Sequence, residues 1–326
     1  MSSSVFPAVK PAASAKIPAR LGIGFPYMPA MPPEIYQEGV IDFVEVTPEA
    51  LCRERREGNA IVLDLVPEQL RQARSTCAGL PMVVHGVQLS IGSAHGWNGA
   101  YLDMLDQLQR VWPFVWHSEH LSFQTIAGDR GMILETGVPL PLPNTEEAVQ
   151  MIIERSAAIT RRFGVPFLLE NPAHYLDKQI ATSTGASGKP VTGEIDFMNR
   201  ITAGGNCRQL LDLHNLYCNA VNHGFDACQA IDQLALDRVT EIHVAGGSWR
   251  DGFLMDAHDN IVPQPVWDLL AYTLPRAPNV AAVLFEVLDR YAPKVGVDAM
   301  LRELAHARLI WDDCRERRHA SVRAVA

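Results

Sequence analysis

The sequence of 326 residues lacks the features that mark several common classes of protein. No apolar run approaches the roughly 20 residues of a membrane-spanning helix, and the start of the chain lacks the continuous apolar stretch of a secretory signal. Basic residues are few: 28 Lys and Arg stand against 37 Asp and Glu, which gives a net charge of −9 and argues against a broad nucleic-acid-binding surface. We therefore expect a cytoplasmic protein that binds neither membranes nor nucleic acid.

Cysteine is also scarce, and no two cysteines have the Cys-x-x-Cys spacing of a zinc ribbon or redox motif. Scattered cysteines in a chain of this length do not predict a disulfide framework. We expect all six of them to be reduced thiols.

Apolar, β-type segments alternate with segments of helical spacing along most of the chain. The predicted strands are 21–25, 41–46, 81–86, 114–123, 165–171, 208–215, 241–246 and 281–287. Eight strands alternating with helices over about 300 residues predict a single-domain α/β fold, the (β/α)8 or TIM barrel. A doubly wound sheet is the alternative, but no Gly-x-Gly-x-x-Gly loop follows the first strand.

The predicted domain limits are a flexible N-terminal arm over 1–20, a catalytic barrel over 21–315 and a basic C-terminal tail over 316–326. Residues 124–144 interrupt the alternation with several glycines and the segment PLPLPN. We predict a long loop there, after the fourth strand, lying over the mouth of the barrel where a substrate or partner would dock.

Metal-type ligands stand at or near the ends of the predicted strands. They are His85, Glu119, His120, Glu170, Asp212, His214, His243, Asp256, His258 and Glu286. Because the carboxyl ends of barrel strands form one face, these side chains are expected to converge. Buried imidazoles and carboxylates are costly unless they are paired, and metal ions pair both types. The sequence therefore predicts a metalloenzyme that holds more than one ion.

Spacing refines the roles of some of these residues. Asp256 and His258 are two residues apart, which places both on one face of an extended chain, and Asp212 and His214 have the same spacing. Glu119 and His120 are adjacent, so only one can point inward; His120 is the predicted ligand and Glu119 a residue that supports it. Two assignments stay open: Glu45 is either a further ligand or an ordinary carboxylate, and Asn171 is either a weak ligand or a turn residue.

Eight segments occur in the order found in a known family: HGVQLSIGS, SEHLSF, PLPNTEEAV, LLENPAHYL, LLDLHNLYCNAVNHGFD, EIHVAGG, MDAHDNIVPQPVWDLL and FEV. Together they resemble the multinuclear non-heme iron-dependent oxidases (MNIO), which include the methanobactin biosynthetic oxidase and the enzyme that excises a cysteine β-carbon in 3-thiaglutamate biosynthesis. The resemblance extends over most of the chain.

The resemblance implies two or three iron ions in mixed Fe(II)/Fe(III) states, dioxygen as co-substrate, and modification of a residue, cysteine above all, in a ribosomally made precursor peptide. It also implies a partner protein that recognises the leader peptide. The implied ligands are His85, His120, Glu170, Asp212, His214, His243, Asp256, His258 and Glu286. Glu170, Asp212 and Glu286 are expected to be catalytic as well, and Glu119, Asn171 and Asn215 to contact the ligands.

Other functions remain open on the sequence alone. A barrel with Glu, His and Asp at its strand ends is also the frame of xylose-isomerase-like sugar isomerases and of zinc phosphodiesterases. A non-catalytic metal-binding or peptide-binding subunit is an alternative of another class. Metal analysis and oxygen dependence distinguish these functions from an oxidase.

Overall fold

Eight parallel strands close into a barrel in the computed structural model, which describes residues 20–58, 60–129, 132–175 and 193–325. The described strands include those of the barrel and others beside it. In chain order they are β1 (Gly22–Pro26), β2 (Phe43–Val46), β3 (Cys52–Glu57), β4 (Ala60–Leu65), β5 (Met82–Gly86), β6 (His117–His120), β7 (Ser122–Ala127), β8 (Ile133–Pro141), β9 (Phe167–Glu170), β10 (Arg208–Asp212), β11 (Val239–Arg250), β12 (Phe253–Asn260) and β13 (Ala282–Glu286). The helices are α1 (Pro67–Thr76), α2 (Gly99–Val111), α3 (Glu146–Phe163), α4 (Glu194–Gly204), α5 (Leu213–His223), α6 (Ala227–Gln233), α7 (Gln264–Thr273), α8 (Ala292–Val295) and α9 (Val297–Val325).

The barrel runs in the order β1, β2, β5, β6, β9, β10, β11 and β13, and β13 pairs with β1 to close it. Each of the eight predicted strands corresponds to one barrel strand, so the predicted (β/α)8 fold is confirmed. The predicted arm lies outside the described residues except for Arg20, and α9 continues through the predicted tail to Val325.

The barrel interior is apolar at one level and polar at the next. Its apolar layer consists of Phe43, Val83, Trp116, Leu168, Leu210, Ala281, Ala282 and Leu284, all almost fully buried. Because alternate residues of a strand share a face, the residue two positions further on also points inward. The pairs that follow this rule are Phe43 and Glu45, Val83 and His85, Leu168 and Glu170, Leu210 and Asp212, and Leu284 and Glu286. The strands thus place a ring of ionisable side chains directly beyond the apolar layer.

The helices cover the outside of the barrel, and local sequence sets their ends. Helix α3 begins after Thr145, whose hydroxyl accepts the N–H of Ala148 at 3.2 Å, and ends at Gly164 with a φ of +70°. Glycine adopts that left-handed conformation without steric cost. None of the described helices is long and apolar enough to cross a membrane.

Within the residues that the structure describes, three β-hairpins stand outside the parallel barrel. One, β3–β4, was not expected, and a second forms where β11 continues beyond the barrel and pairs with β12. The third corrects a prediction: most of the described residues between 124 and 144 belong to the antiparallel strands β7 and β8 rather than to a loop. Its glycines and prolines suggested a loop, but Ile126, Ile133 and Leu134 have the β-type character that the hairpin uses.

Candidate metal centre

The predicted ligands lie at the carboxyl end of the barrel, and the structure brings them together in overlapping groups. Within each group the ligand atoms lie within 4.8 Å of one another. The groups are His85, His120 and Glu170; Glu170, Asp212 and His243; Asp212, His258 and Glu286; His214, Asp256 and His258; and Glu45, Glu241 and His243. Because four residues belong to two groups each, the groups form one continuous cluster rather than separate sites.

The distances between ligand atoms fit common metal ions. Glu170 Oε2 lies 3.2 Å from His85 Nε2 and 3.3 Å from His120 Nε2. His258 Nδ1 lies 3.2 Å from Glu286 Oε1, and His258 Nε2 lies 2.6 Å from Asp256 Oδ1. Two ligand atoms that are each about 2.1 Å from an ion and at a right angle are about 3 Å apart. These distances would allow the same atoms to surround shared ions.

Glu170 has one oxygen fixed by the protein and one oxygen free. Its Oε1 accepts a hydrogen bond from Asn215 Nδ2 at 3.0 Å. Its Oε2 is buried and makes no hydrogen bond of acceptable geometry, although it faces His85 and His120. A buried carboxylate oxygen without a donor is costly. The free oxygen fits a metal ligand whose orientation is set by Asn215.

Asp212 shows the same division between its two oxygens. It is the last residue of β10 and the N-cap of α5, where its Oδ1 accepts the N–H of Asn215 at 2.5 Å. Its Oδ2 is buried and has no partner. Asn171 exchanges two hydrogen bonds with the backbone of Asp212, both at 2.9 Å, and so ties the end of β9 to the end of β10. Asn171 and Asn215 therefore contact the predicted ligands.

His85 has a hydrogen-bonding arrangement that leaves one nitrogen available. The Ser118 hydroxyl donates to the carbonyl of Val84 at 3.1 Å, so its oxygen accepts from His85 Nδ1 at 3.0 Å. This network assigns the proton to Nδ1 and leaves the Nε2 lone pair directed at Glu170. Burial, reinforced by the neighbouring imidazoles, lowers the pKa of His85 well below its usual value, which favours the neutral form that binds metals.

Asp256, His258 and His214 meet where β12 crosses α5. Asp256 Oδ1 lies 2.6 Å from His258 Nε2 and 2.8 Å from His214 Nδ1. The backbone N–H of Asp256 donates to the Tyr175 hydroxyl at 2.8 Å. One prediction is corrected: Asp212 and His214 do not share a strand face, because Asp212 caps α5 and His214 lies in its first turn.

His258 has an unusual backbone conformation with a φ of +47°. A non-glycine residue in the left-handed region costs roughly 1–2 kcal/mol, so the surrounding structure must compensate for it. Both ring nitrogens of His258 are buried and make no hydrogen bond of acceptable geometry. Backbone strain at a residue with two free ligand atoms is consistent with a functional position.

The cluster combines six carboxylates with five imidazoles and contains no Lys or Arg. Its carboxylates are Glu45, Glu170, Asp212, Glu241, Asp256 and Glu286, and its imidazoles are His85, His120, His214, His243 and His258. Among the described residues no Lys or Arg forms an ion pair with any of these carboxylates. Bound cations are the groups that would balance this charge.

The buried charges perturb one another. Burial, together with Asp212, raises the pKa of Glu170 well above its usual value, and burial and Asp256 raise the pKa of Asp212 to about 6. Burial opposes the charged form of His258, but Asp256 and Glu286 outweigh it and hold its pKa well above the usual value. Groups this strongly perturbed in one cluster indicate a functional site.

Glu119 departs from its expected role. It points away from the barrel interior, since it is adjacent to the inward-facing His120, and its Oε1 lies 3.0 Å from His117 Nε2. Its carboxylate is also hydrogen-bonded to Tyr101. Burial is the main influence on this group and raises the pKa of Glu119 to about 8. Glu119 therefore contacts the outer wall of the barrel instead of the predicted ligands.

Sequence reasoning left Glu45 open and missed Glu241. Both are buried and lie beside His243 in the interior. Glu241 and His243 are two residues apart, the spacing that drew attention to Asp256 and His258. That spacing is the signal that could have identified Glu241.

The chain is similar to known proteins over most of its length. Residues 20–312 match the family model described as the RiPP precursor modification enzyme MbnB/TglH/ChrH. The chain is similar to a UPF0276 protein of Caulobacter vibrioides, with 34% identity over 274 residues that cover 83% of this chain and 87% of the relative. It is also similar to a UPF0276 protein of Rhizorhabdus wittichii, with 36% identity over 204 residues that cover 63% of this chain and 68% of the relative.

A solved structure shares the fold. A crystal structure of the IOLI protein with a binding zinc atom aligns with a TM-score of 0.50 and 11% identity, covering 90% of this chain and 97% of the other. At this identity the likeness concerns the barrel alone.

Proposed function

The chain belongs to the MbnB/TglH/ChrH family of RiPP precursor modification enzymes, and we propose that it is an iron-dependent oxidase that uses dioxygen to modify a residue, cysteine above all, of a ribosomally synthesised precursor peptide. The observation that carries the proposal is the continuous cluster of buried imidazoles and carboxylates with free ligand atoms. A cluster with shared residues suits a centre of two or three ions.

The composition of the groups favours iron. His85, His120 and Glu170 are two imidazoles and one carboxylate, and His214, His258 and Asp256 repeat that set. Two histidines and one carboxylate with open positions are the ligand set of non-heme Fe(II) oxygenases. Bound iron would supply positions for a substrate thiolate and for dioxygen, together with the electrons exchanged in the oxidation.

The protein's own residues would hold this centre rigidly. Asn215 fixes one oxygen of Glu170 and Ser118 fixes the tautomer of His85, so each keeps a single ligand atom directed inward. The apolar layer below the cluster closes the barrel on that side. A substrate residue would therefore enter from the carboxyl end and be held near the ligands with water excluded.

Hairpin β7–β8 is the proposed docking element for the precursor peptide. It begins at Ser122, two residues after His120, so its base lies at the mouth of the barrel. Large apolar side chains are exposed along it, namely Ile126, Met132, Ile133, Leu134 and Val138. Exposed apolar patches mark interaction sites. We also propose a partner protein that recognises the leader peptide, because membership of this family implies one.

The proposal predicts that peptide modification depends on dioxygen. The iron-loaded chain and its precursor peptide, with the leader-recognising partner present, should give a mass change in the peptide in air and none under anaerobic conditions. Mass spectrometry of the peptide and oxygen uptake in a single turnover measure this. A mass change of equal extent without dioxygen would contradict the oxidase assignment and leave a metal-dependent enzyme of another class.

The proposed docking of the peptide on hairpin β7–β8 predicts that peptide turnover can be lowered without a change in iron content. Replacing Met132, Ile133 and Val138 by Ser should lower kcat/KM for the peptide by about tenfold, which corresponds to about 1.4 kcal/mol, because apolar contact area is lost. Iron content should remain that of wild type, since none of the predicted ligands lies in the hairpin. Leu309→Ser is the control: Leu309 is 70% exposed on α9 and should not affect turnover. Unchanged peptide kinetics in the triple variant would remove the hairpin from substrate binding.

A further inference from the structure

The chain directly beyond β9 has no regular secondary structure, yet side chains of α5 hold it residue by residue. The Asn219 side chain accepts the N–H of His174 at 2.9 Å and donates to the carbonyl of Pro172 at 3.0 Å. His223 Nε2 donates to the carbonyl of His174 at 3.0 Å, since a carbonyl oxygen can only accept. Loops that a rigid barrel fixes at its carboxyl end are where substrate-binding side chains are commonly found.

The imidazole of His174 is fixed as well. It stacks on the His223 ring, with 4.6 Å between the ring centroids and 22° between the planes, and its Nε2 lies 3.1 Å from Glu194 Oε2. Tyr175 follows directly in the chain. The contacts of its neighbours therefore determine where the phenol of Tyr175 lies.

Tyr175 contacts β12 beside the candidate metal centre. Its hydroxyl oxygen accepts the backbone N–H of Asp256 at 2.8 Å, and its ring meets that of Phe253 edge to face, with 6.0 Å between the centroids. The side chain of Asp256 in turn contacts His214 and His258. The phenol hydroxyl is therefore held next to a residue of the cluster.

The hydroxyl of Tyr175 has a proton that the described part of the chain does not use. A hydroxyl has one proton and two lone pairs, so acceptance of the Asp256 N–H leaves the proton to be donated. No described residue accepts a hydrogen bond from it, and the side chain is half-buried, so water can accept the proton until a substrate displaces that water. Burial raises the pKa of Tyr175 to about 12, so the hydroxyl stays a donor at neutral pH.

The residues beside this hydroxyl offer mainly acceptor atoms. His214, Asp256 and His258 contribute the imidazole nitrogens and the carboxylate oxygen that would bind an ion. A peptide residue that binds against them brings carbonyl oxygens that lose their water, and these oxygens need hydrogen-bond donors. A fixed hydroxyl with an uncommitted proton supplies such a donor.

We infer that Tyr175 is a substrate-binding residue, whose hydroxyl donates a hydrogen bond to an acceptor atom of the precursor peptide held beside Asp256. The inference rests on the proposed function, because it takes the peptide as the substrate of this centre. The Asp256 N–H orients the hydroxyl from one side, and the peptide accepts its proton on the other.

Peptide binding without dioxygen tests the inference, because no turnover occurs. The probe is the precursor peptide that the wild-type chain modifies in air. Tyr175→Phe should raise its Kd by about tenfold, the scale of one lost hydrogen bond, while the iron content stays that of wild type. Tyr272→Phe is the matched control: the Tyr272 hydroxyl donates to Asp232 Oδ1 at 2.9 Å from α7, outside the barrel, and its loss should leave the Kd unchanged.

A second substitution separates donation to the peptide from the bond to Asp256. Para-aminophenylalanine in place of Tyr175 supplies a donor of similar size, but its nitrogen is a poor acceptor for the Asp256 N–H. It should restore the wild-type Kd. A Kd that stays weakened with para-aminophenylalanine, or loss of iron from Tyr175→Phe, would overturn the inference by showing that the hydroxyl serves only Asp256. An unchanged Kd in Tyr175→Phe would overturn it as well. Wild-type protein that binds no iron and modifies no peptide would instead contradict the proposed function.

Discussion

Glu170→Ala is expected to remove iron from the centre and to abolish turnover. Glu170 belongs to two of the overlapping groups, and its free Oε2 faces both His85 and His120. Removal of a residue on which a catalytic unit depends costs at least about a thousandfold in rate. Elemental analysis should show a loss of at least one ion per chain, and peptide turnover should fall by about that factor.

The barrel should remain folded in this variant, because Glu170 lies at the catalytic face and not in the apolar layer. Glu303→Ala is the matched control and should keep both iron and activity. Retention of full iron content and turnover by Glu170→Ala would show that the cluster is not the catalytic centre.

Asp256→Ala and His258→Ala are expected to have effects nearly as large. His258 belongs to two groups, and its strained backbone places both ring nitrogens toward Asp256 and Glu286. Each substitution should remove iron and activity while the circular dichroism spectrum stays that of wild type. His306→Ala should change neither, because His306 packs against Trp267 outside the cluster. Wild-type iron and turnover in Asp256→Ala would exclude β12 from the centre.

The sequence predicts much of the barrel because the alternation of inward and outward residues determines both the strands and the positions of the predicted ligands. On β5, β9 and β10 an inward apolar residue is followed two positions later by His85, Glu170 and Asp212. The alternation that predicts a strand therefore also places the ligand in the interior. Periodicity could predict these residues because it fixes the side of the strand to which each side chain points.

The corrected predictions concern positions where another local rule takes precedence. Asp212 ends its strand by capping α5, so the spacing to His214 became a helical one. Glu119 follows strand alternation, which turned it away from the neighbouring ligand. Hairpin β7–β8 was not predicted because the glycines and prolines of this segment, which suggested a loop, also occur at bends and edges of strands.

Glu241 was missed because a carboxylate in the apolar layer contradicts the rule that buried strand residues are apolar, although its spacing from His243 repeats that of Asp256 and His258. Its surroundings come from distant parts of the chain: Trp116, just before β6, donates to its Oε2, and Glu45 from β2 lies beside the same His243. The xylose-isomerase-like alternative shares this closed frame, so the choice between functions depends on the ions and not on the fold.

The iron content of active protein tests the central claim most directly. Protein produced with iron and kept from chelators is predicted to contain two or three iron ions per chain, because the nine predicted ligand residues, all of which lie in the cluster, exceed the four to six ligands that one ion takes. Elemental analysis together with peptide turnover on the same sample gives the answer. Active protein with a single zinc ion and no iron would contradict the account.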